Sequence, residues 1–270
     1  MDIATLKARQ KATWMSGDFG KIGTCAQPVA DSFMSRVPIQ PGHKVLDVAC
    51  GTGNLAVVAA QYGGTVTGID IAPNLIDQAR ARARDAGLQI QFEEGDAEAL
   101  PYPDGSFDVV VSMFGVMFAP RVHVAAAELL RVCKPGGCIA LASWTPEGFI
   151  GKMFRTVSKF HPPAPGVPVP IEWGLEETVR ERLGDGIAEF RFHRPSERIT
   201  YPFPVPGTIE FFRMYFGPTQ RAFEKLSLER QAELRQDLEG LFASHNKTDD
   251  PYHSTVVPAE FLEVLAFKRT

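Results

Sequence analysis

Two kinds of hydrophobic pattern alternate along the first half of the chain. Short apolar runs rich in β-branched residues predict strands at 44–49, 65–70, 89–94, 107–113 and 138–144. Between them, segments with apolar residues at helical spacing, ended by glycine or started by proline, predict helices at 54–62, 73–86 and 122–133. Strands that alternate with helices indicate a parallel sheet with right-handed crossovers.

The second half has a different pattern. Thirteen of the 27 aromatic residues fall between positions 149 and 223, and the proline-rich run at 161–170 predicts a stiff connection. Further helices are predicted at 176–183, 208–216 and 228–245, and strands at 187–199 and 258–268. These two strands would complete the sheet, with helical material inserted around them.

Composition narrows the class of protein. The 270 residues allow one large domain or one domain with an insertion, and 44% hydrophobic residues is ordinary for a globular core. A net charge of −4 does not indicate nucleic-acid binding, no apolar run approaches a membrane span, and the N-terminus lacks a signal-peptide pattern.

The cysteines form no C-x-x-C pair, so we expect free thiols in a reducing cytoplasm and no metal site. They are Cys25, Cys50, Cys133 and Cys138.

The strongest chemical signal is a glycine-rich turn directly after the first strand. Gly51 and Gly53 have no Cβ, so the backbone there can approach a ligand closely. The spacing to Ala56 fits the dinucleotide fingerprint, and Asp70 ends the next strand where a ribose-binding carboxylate is expected. However, Asp47 lies four residues before Gly51, which is unfavourable for a pyrophosphate and favourable for an ammonium or sulfonium. A nicotinamide-dependent oxidoreductase stays open as the alternative.

Four segments in order within residues 40–145 resemble the class I S-adenosylmethionine-dependent methyltransferases, most closely the branch of the ubiquinone- and menaquinone-biosynthesis enzymes (methyltransferase type 11). They are Val45-Leu46-Asp47-Val48-Ala49-Cys50-Gly51-Thr52-Gly53, Val66-Thr67-Gly68-Ile69-Asp70-Ile71-Ala72-Pro73, Glu94-Gly95-Asp96-Ala97-Glu98-Ala99-Leu100-Pro101 with Phe107-Asp108-Val109-Val110, and Leu130-Arg131-Val132-Cys133-Lys134-Pro135-Gly136-Gly137. The resemblance implies an α/β fold: a Rossmann-like, seven-stranded sheet, mostly parallel with an antiparallel last strand. It also implies S-adenosyl-L-methionine as cofactor.

The resemblance further implies a division of the chain. Residues 1–40 would be a helical segment covering the cofactor, and 41–145 the cofactor-binding core. Residues 146–270 would complete the sheet. From their position beside its last strands, we further expect 144–170 and 206–245 to form a helical cap over the methyl group. The implied activity is methyl transfer by in-line displacement. The aromatic residues of the second half suggest a small, mainly apolar or aromatic acceptor, and they fit the core of a cap domain equally well. A protein that binds S-adenosylmethionine without methyl transfer stays open, and so does a homodimer built from the aromatic helices.

Roles for single residues follow from the same resemblance. Asp47 would balance the ligand's ammonium, Asp70 would accept from both ribose hydroxyls, and Asp96 with Ala97 would recognise the adenine. The full predicted cofactor-binding set is Trp14, Phe19, Asp47, Ala49, Gly51, Gly53, Asn54, Asp70, Ile71, Asp96, Ala97, Met113 and Phe114.

The acceptor side is less defined by sequence. Phe114 and Met117 follow the fourth strand and are candidate walls between cofactor and acceptor. No catalytic base is evident, and His161, His193 and Tyr215 are candidates if a hydroxyl is methylated.

Overall fold

The computed structural model describes residues 2–163 and 167–270. In this part of the chain the α-helices are α1 (Ile3–Trp14), α2 (Phe19–Cys25), α3 (Gln27–Met34), α4 (Asn54–Gln61), α5 (Pro73–Asp85), α6 (Val122–Val132), α7 (Phe149–Phe160), α8 (Glu176–Leu183), α9 (Val205–Tyr215), α10 (Gly217–Glu224) and α11 (Leu228–His245). The strands are β1 (Lys44–Val48), β2 (Thr65–Asp70), β3 (Gln91–Glu94), β4 (Phe107–Met113), β5 (Cys133–Trp144), β6 (Ile187–His193), β7 (Ser196–Tyr201) and β8 (Thr255–Lys268).

The strands form one mixed sheet in the order β3-β2-β1-β4-β5-β8-β6. Strands β1 to β5 run parallel to one another, whereas β8 is antiparallel to both β5 and β6. The predicted Rossmann-like fold, mostly parallel with an antiparallel last strand, is confirmed.

One predicted strand is divided in the structure. The run 187–199 forms β6 and β7, with Arg194 and Pro195 between them. Pro195 has no N–H to donate to a ladder, which favours a break at this point. Both strands pair with β8, β6 along its second half and β7 along its first. The sheet therefore has eight strands instead of the predicted seven.

Several elements of the C-terminal half were not predicted from the sequence. Helices α7 and α10 lie in stretches for which no helix was predicted, and Pro170–Gly174 forms a 3₁₀ helix at the end of the proline-rich run. Residues 164–166 of that run lie outside the described residues. None of the described helices is both long and apolar enough to cross a lipid bilayer.

The central strands are buried on both faces by helices. In β1, Val45, Leu46 and Val48 are fully buried, as expected for a strand covered on both sides. Asp47 of the same strand is also buried, at 1% exposure. A buried carboxylate in a central strand is costly unless it is satisfied locally, so this position points to the ligand-binding edge of the sheet.

Candidate functional site

A cleft lies where β1, β2 and β4 end, and its empty space, counted together with its open mouth, is about 1040 Å³. This is the edge at which open α/β sheets bind ligands. Its walls come from residues 7–26, 47–75 and 95–120, so the N-terminal helices α1 and α2 form part of it. Among the described residues, none after Pro120 lines this cleft.

The turn after β1 has a left-handed backbone at several positions. Ala49, Gly51 and Gly53 have φ values of +54°, +54° and +79°. Gly51 lines the cleft, and the only atoms near a Cβ placed there are in the Phe19 ring, at 3.6 Å or more. Gly53 does not line the cleft: a Cβ there would lie 3.0 Å from the Phe92 ring. The first glycine therefore gives a ligand access, while the second permits the turn to pack on the sheet.

Asp70 shapes this turn directly. Its Oδ2 accepts from the Gly51 N–H at 2.8 Å, and its Oδ1 accepts from the Ala72 N–H at 2.9 Å. The sequence had suggested that both oxygens serve a ribose, whereas each of them already accepts a backbone N–H. Each carboxylate oxygen can accept a second bond, so Asp70 can fix the turn and still contact a ligand.

Asp47 lies under the same turn. Its Oδ2 accepts from the Ala56 N–H at 3.1 Å, near the start of α4. Burial raises the pKa of Asp47 well above its ordinary value, and the neighbouring charge of Asp70 raises it further. Burial also raises the pKa of Asp70, although backbone N–H groups oppose this effect. Neither carboxylate forms an ion pair with a described cationic side chain, so a cation in the cleft would stabilise both ionised forms.

Asn54 connects the turn to the N-terminal helices. Its Nδ2 donates to the Gly23 carbonyl at 2.8 Å, and its Oδ1 accepts from Arg82 at 2.7 Å. Asn54 lines the cleft, but its amide already has partners from α2 and α5. It therefore fixes α2 against the core.

The loop after β3 forms another wall, which contains Asp96 and Ala97. Asp96 Oδ1 accepts from the Glu98 N–H at 2.9 Å, and its Oδ2 pairs with the Lys7 ammonium of α1. Lys7 also lies 2.6 Å from Oε2 of Glu98, which is fully buried and bonded to Arg121 as well. Ile71 and Leu75, after the end of β2, complete the apolar part of this wall.

An aromatic wall lies at the end of β4. Phe114 has φ +55°, a strained value for a non-glycine residue, and its ring stacks on Trp144 with centroids 3.6 Å apart. Met113 also lines the cleft. Met117, the other candidate wall, is 1% exposed and does not line it. That prediction is wrong because the short 3₁₀ helix after β4 directs Met117 into the core.

The turn after β4 is tied to the end of β1. The Ser112 hydroxyl donates to the Val48 carbonyl at 2.7 Å and accepts from the Val116 N–H at 3.0 Å. A Cβ on Gly115 would lie 2.6 Å from the Ala49 carbonyl oxygen. The two non-glycine residues with a left-handed backbone, Ala49 and Phe114, therefore belong to turns that contact each other, and both line the cleft.

Trp14 and Phe19 cover the cleft from the N-terminal side. The Trp14 ring makes edge contacts with Phe19 at 5.6 Å, Phe118 at 4.9 Å and Phe216 at 6.1 Å between centroids. Phe216, from the end of α9, contacts the cover but does not line the cleft.

None of the described residues of the predicted cap lines this cleft. The cap's aromatic residues pack on one another: Phe242 lies 4.7 Å from Phe149 and 5.7 Å from Phe212 between ring centroids. The sequence correctly indicated an apolar cluster, but the cluster is the core of the C-terminal helices and not a wall of the site.

The three candidate bases also lie outside the cleft. His161 lies 3.3 Å from the Lys225 ammonium, His193 on β6 lies 2.9 Å from Glu263, and Tyr215 lies under Lys21. Cys50 does line the cleft, but burial and the two neighbouring carboxylates raise the pKa of its thiol well above the ordinary value. No described histidine or tyrosine lines this cleft.

Other residues that line the cleft were not predicted from the sequence. They include Lys7, Gln10, Gly23, Leu75, Phe118 and Pro120. Lys7 and Gln10 belong to a helix without an apolar face, and they meet the core only through the tertiary fold. For Leu75 and Phe118 a signal existed, because both follow the ends of predicted strands that face the ligand edge.

Comparison with known proteins agrees with this geometry. The family model described as a methyltransferase domain matches residues 46–141. The uncharacterized protein Rv1405c of Mycobacterium tuberculosis is 38% identical over 221 residues, which is 81% of each chain. The demethylmenaquinone methyltransferase of Deinococcus radiodurans is 42% identical over 117 residues, 42% of this chain and 48% of that protein. The YcgJ protein of Bacillus subtilis has the same fold, with a TM-score of 0.59 at 19% identity, covering 89% of this chain and 98% of that one.

The fold, the cleft and these similarities define a class I S-adenosylmethionine-dependent methyltransferase. The chain belongs to this family, and over 42% of its length it is similar to demethylmenaquinone methyltransferases. Its cofactor is S-adenosylmethionine, and the nicotinamide alternative is wrong.

Proposed function

We propose that this enzyme transfers the methyl group of S-adenosylmethionine to a small, mainly apolar or aromatic acceptor. The observation that carries the proposal is one cleft with two different walls. Buried carboxylates without a cationic partner lie on the β1 and β2 side, and aromatic rings lie on the β4 and α1 side.

The residues present fit the cofactor. S-adenosylmethionine has an ammonium and a sulfonium, and the buried Asp47 and Asp70 have no charged partner among the described side chains. Gly51 leaves the backbone open to close approach on the same side. In our proposal Asp47 stabilises the ammonium electrostatically, while its Oδ2 also accepts from the Ala56 N–H. Each Asp70 oxygen can accept a second hydrogen bond besides the one from the turn, and we propose that the ribose hydroxyls donate these.

The nucleoside would extend toward the loop after β3. The Asp96 carboxylate would accept from the exocyclic amine of the adenine, and the Ala97 N–H would donate to a ring nitrogen. Ile71 would pack on the adenine face. All three residues line the cleft.

The acceptor would occupy the aromatic side. Trp14, Phe19, Phe114 and Phe118 line that region and offer flat apolar surface. Because no described histidine or tyrosine lines the cleft, we propose that the acceptor carries an atom that is nucleophilic enough to react without a histidine or tyrosine base. A thiol, an acidic phenol or an enol fits this condition better than an aliphatic alcohol.

The bound cofactor supplies an electrophilic methyl group on sulfur. The protein's part is then to orient the acceptor in line with the carbon–sulfur bond and to keep water out. Trp14 and Phe19 exclude water from the N-terminal side, and the fixed Phe114 sets the position of the acceptor. In this proposal residues 1–40 cover the site and 41–145 bind the cofactor. Residues 146–270 complete the sheet and support the cover through Phe216.

An acceptor panel tests the proposal. Purified protein would be incubated with S-adenosylmethionine and aromatic phenols, quinols, thiols, amines and aliphatic alcohols, and S-adenosylhomocysteine would be quantified by mass spectrometry. We expect turnover with aromatic or thiol acceptors and none with aliphatic alcohols. Tight cofactor binding by calorimetry without turnover on the whole panel would instead support a binder that transfers no methyl group.

A further inference from the structure

Helix α1 covers the cleft without an apolar face of its own. None of its residues is buried, although it runs from Ile3 to Trp14. Helices in proteins are normally fixed by packing of an apolar stripe. The attachment of α1 must therefore come from individual side chains, and its last residue, Trp14, accounts only for the C-terminal end.

Polar contacts attach the rest of the helix. Lys7 pairs with Asp96 and Glu98, Lys11 pairs with Glu94, and Gln10 donates to the Phe118 carbonyl. Glu94 ends β3, Asp96 and Glu98 lie on the loop after it, and Phe118 ends the short 3₁₀ helix after β4.

The two lysines differ in their surroundings. The Lys7 side chain is 18% exposed and its partner Glu98 is fully buried, whereas Lys11 is 34% exposed and Glu94 is 49% exposed. Exposed ion pairs contribute little because solvent screens them, while removing one partner of a buried pair is costly. Only Lys7 also lines the cleft.

We infer that Lys7 is a positioning residue that couples closure of α1 to recognition of the adenine. This inference rests on the proposed function, in which Asp96 accepts from the adenine amine. The backbone N–H of Glu98 fixes one oxygen of Asp96, and the Lys7 ammonium fixes the other. The carboxylate is therefore held in a single orientation when α1 is closed, and it loses this restraint when α1 opens. Cofactor binding and closure of α1 therefore favour each other, as linkage requires.

The test compares Lys7→Met with Lys7→Arg and the matched control Lys11→Met. Calorimetry would measure the affinity for S-adenosylhomocysteine, and hydrogen exchange would follow residues 3–14 with and without this ligand. We expect Lys7→Met to weaken binding by about tenfold, Lys7→Arg to restore most of it, and Lys11→Met to stay within about twofold of the parent. In the parent the ligand should slow exchange in α1, and in Lys7→Met this slowing should be lost.

Different failures have different meanings. If the parent binds the ligand but Lys7→Met binds equally well, or if α1 exchange does not respond to the ligand, the coupling is wrong and the proposed function stands. Equal losses in Lys7→Met and Lys11→Met would also overturn it, since they would indicate a general effect of attaching the helix. If the folded parent does not bind S-adenosylhomocysteine at all, the proposed function falls and this inference with it.

Discussion

The two halves of this chain use similar residues for different purposes. In residues 41–145, apolar strands end in glycines and carboxylates that line one cleft. In residues 146–270, the density of aromatic residues is higher, yet none of the described side chains there lines the cleft. Rings of that half pack on each other instead, as the contact between Phe212 and Phe242 shows.

The comparison shows that aromatic richness is weak evidence for a ligand pocket. A ring buried against other rings and a ring facing a substrate give the same sequence signal. A buried carboxylate with no cationic partner beside a left-handed turn is stronger evidence, because its desolvation is costly and backbone N–H groups satisfy only part of its hydrogen-bonding capacity.

The largest effect should come from the C-terminal half. Phe242→Ala removes a ring that is 1% exposed and packs between Phe149 and Phe212. We expect the free energy of unfolding to fall by about 3–5 kcal/mol, with the affinity for S-adenosylhomocysteine within about twofold of the parent. Urea unfolding and calorimetry at low temperature would measure both. A large loss of affinity in the folded variant would contradict the separation of the two halves.

Asp70→Ala should act on the ligand as well as on the fold. It removes the acceptor for the Gly51 and Ala72 N–H groups together with the proposed ribose contact. We expect cofactor affinity to fall by about 2–4 kcal/mol, roughly 30- to 1000-fold, and stability to fall too. Asp77→Ala, at an α5 side chain that is 74% exposed, is the control and should leave both unchanged. Binding within threefold of the parent would show that the ribose is bound elsewhere.

Gly53→Ala should destabilise the turn without touching the ligand. The position needs φ +79°, and a Cβ would lie 3.0 Å from Phe92. We expect a loss of about 1–2 kcal/mol in unfolding free energy from the left-handed backbone, plus the contact with Phe92. Gly87→Ala isolates the backbone cost, because φ is +67° there but no atom lies within 4 Å. An equal loss of unfolding free energy in both variants would show that the Phe92 ring moves aside without a measurable cost.

The pH dependence of binding should be the smallest effect. Burial raises the pKa of Asp47 and Asp70 in the free protein, and a bound ammonium favours the ionised forms. Affinity should therefore fall gradually as pH is lowered through the raised pKa values. The stability of the free protein should show the opposite trend, because the folded state binds protons more tightly and loses stability as pH rises through the same range. Calorimetry from pH 8 to pH 5 would measure the first trend, and a flat profile would contradict it.

The sequence alone determined the sheet and the loops at its edge. Strands 65–70 and 107–113 were predicted to the residue. A β-branched run bounded by turn residues forms a strand because of the residues next to it in the sequence, so the local pattern is sufficient to predict it. The gathering of Asp47, Gly51, Asp70 and Asp96 around one cleft followed from parallel strands, since their carboxyl ends meet at one edge.

Only the tertiary structure decided which remote segments reach that edge. Lys7 contacts Asp96 across 89 positions of sequence, from a helix whose pattern gives no apolar face to orient it. The described aromatic side chains after Trp144 do not line the cleft, and a Cβ at Gly53 would contact Phe92 instead of the cleft. Contacts of this kind depend on how whole elements pack, and the local spacing of residues does not encode that packing.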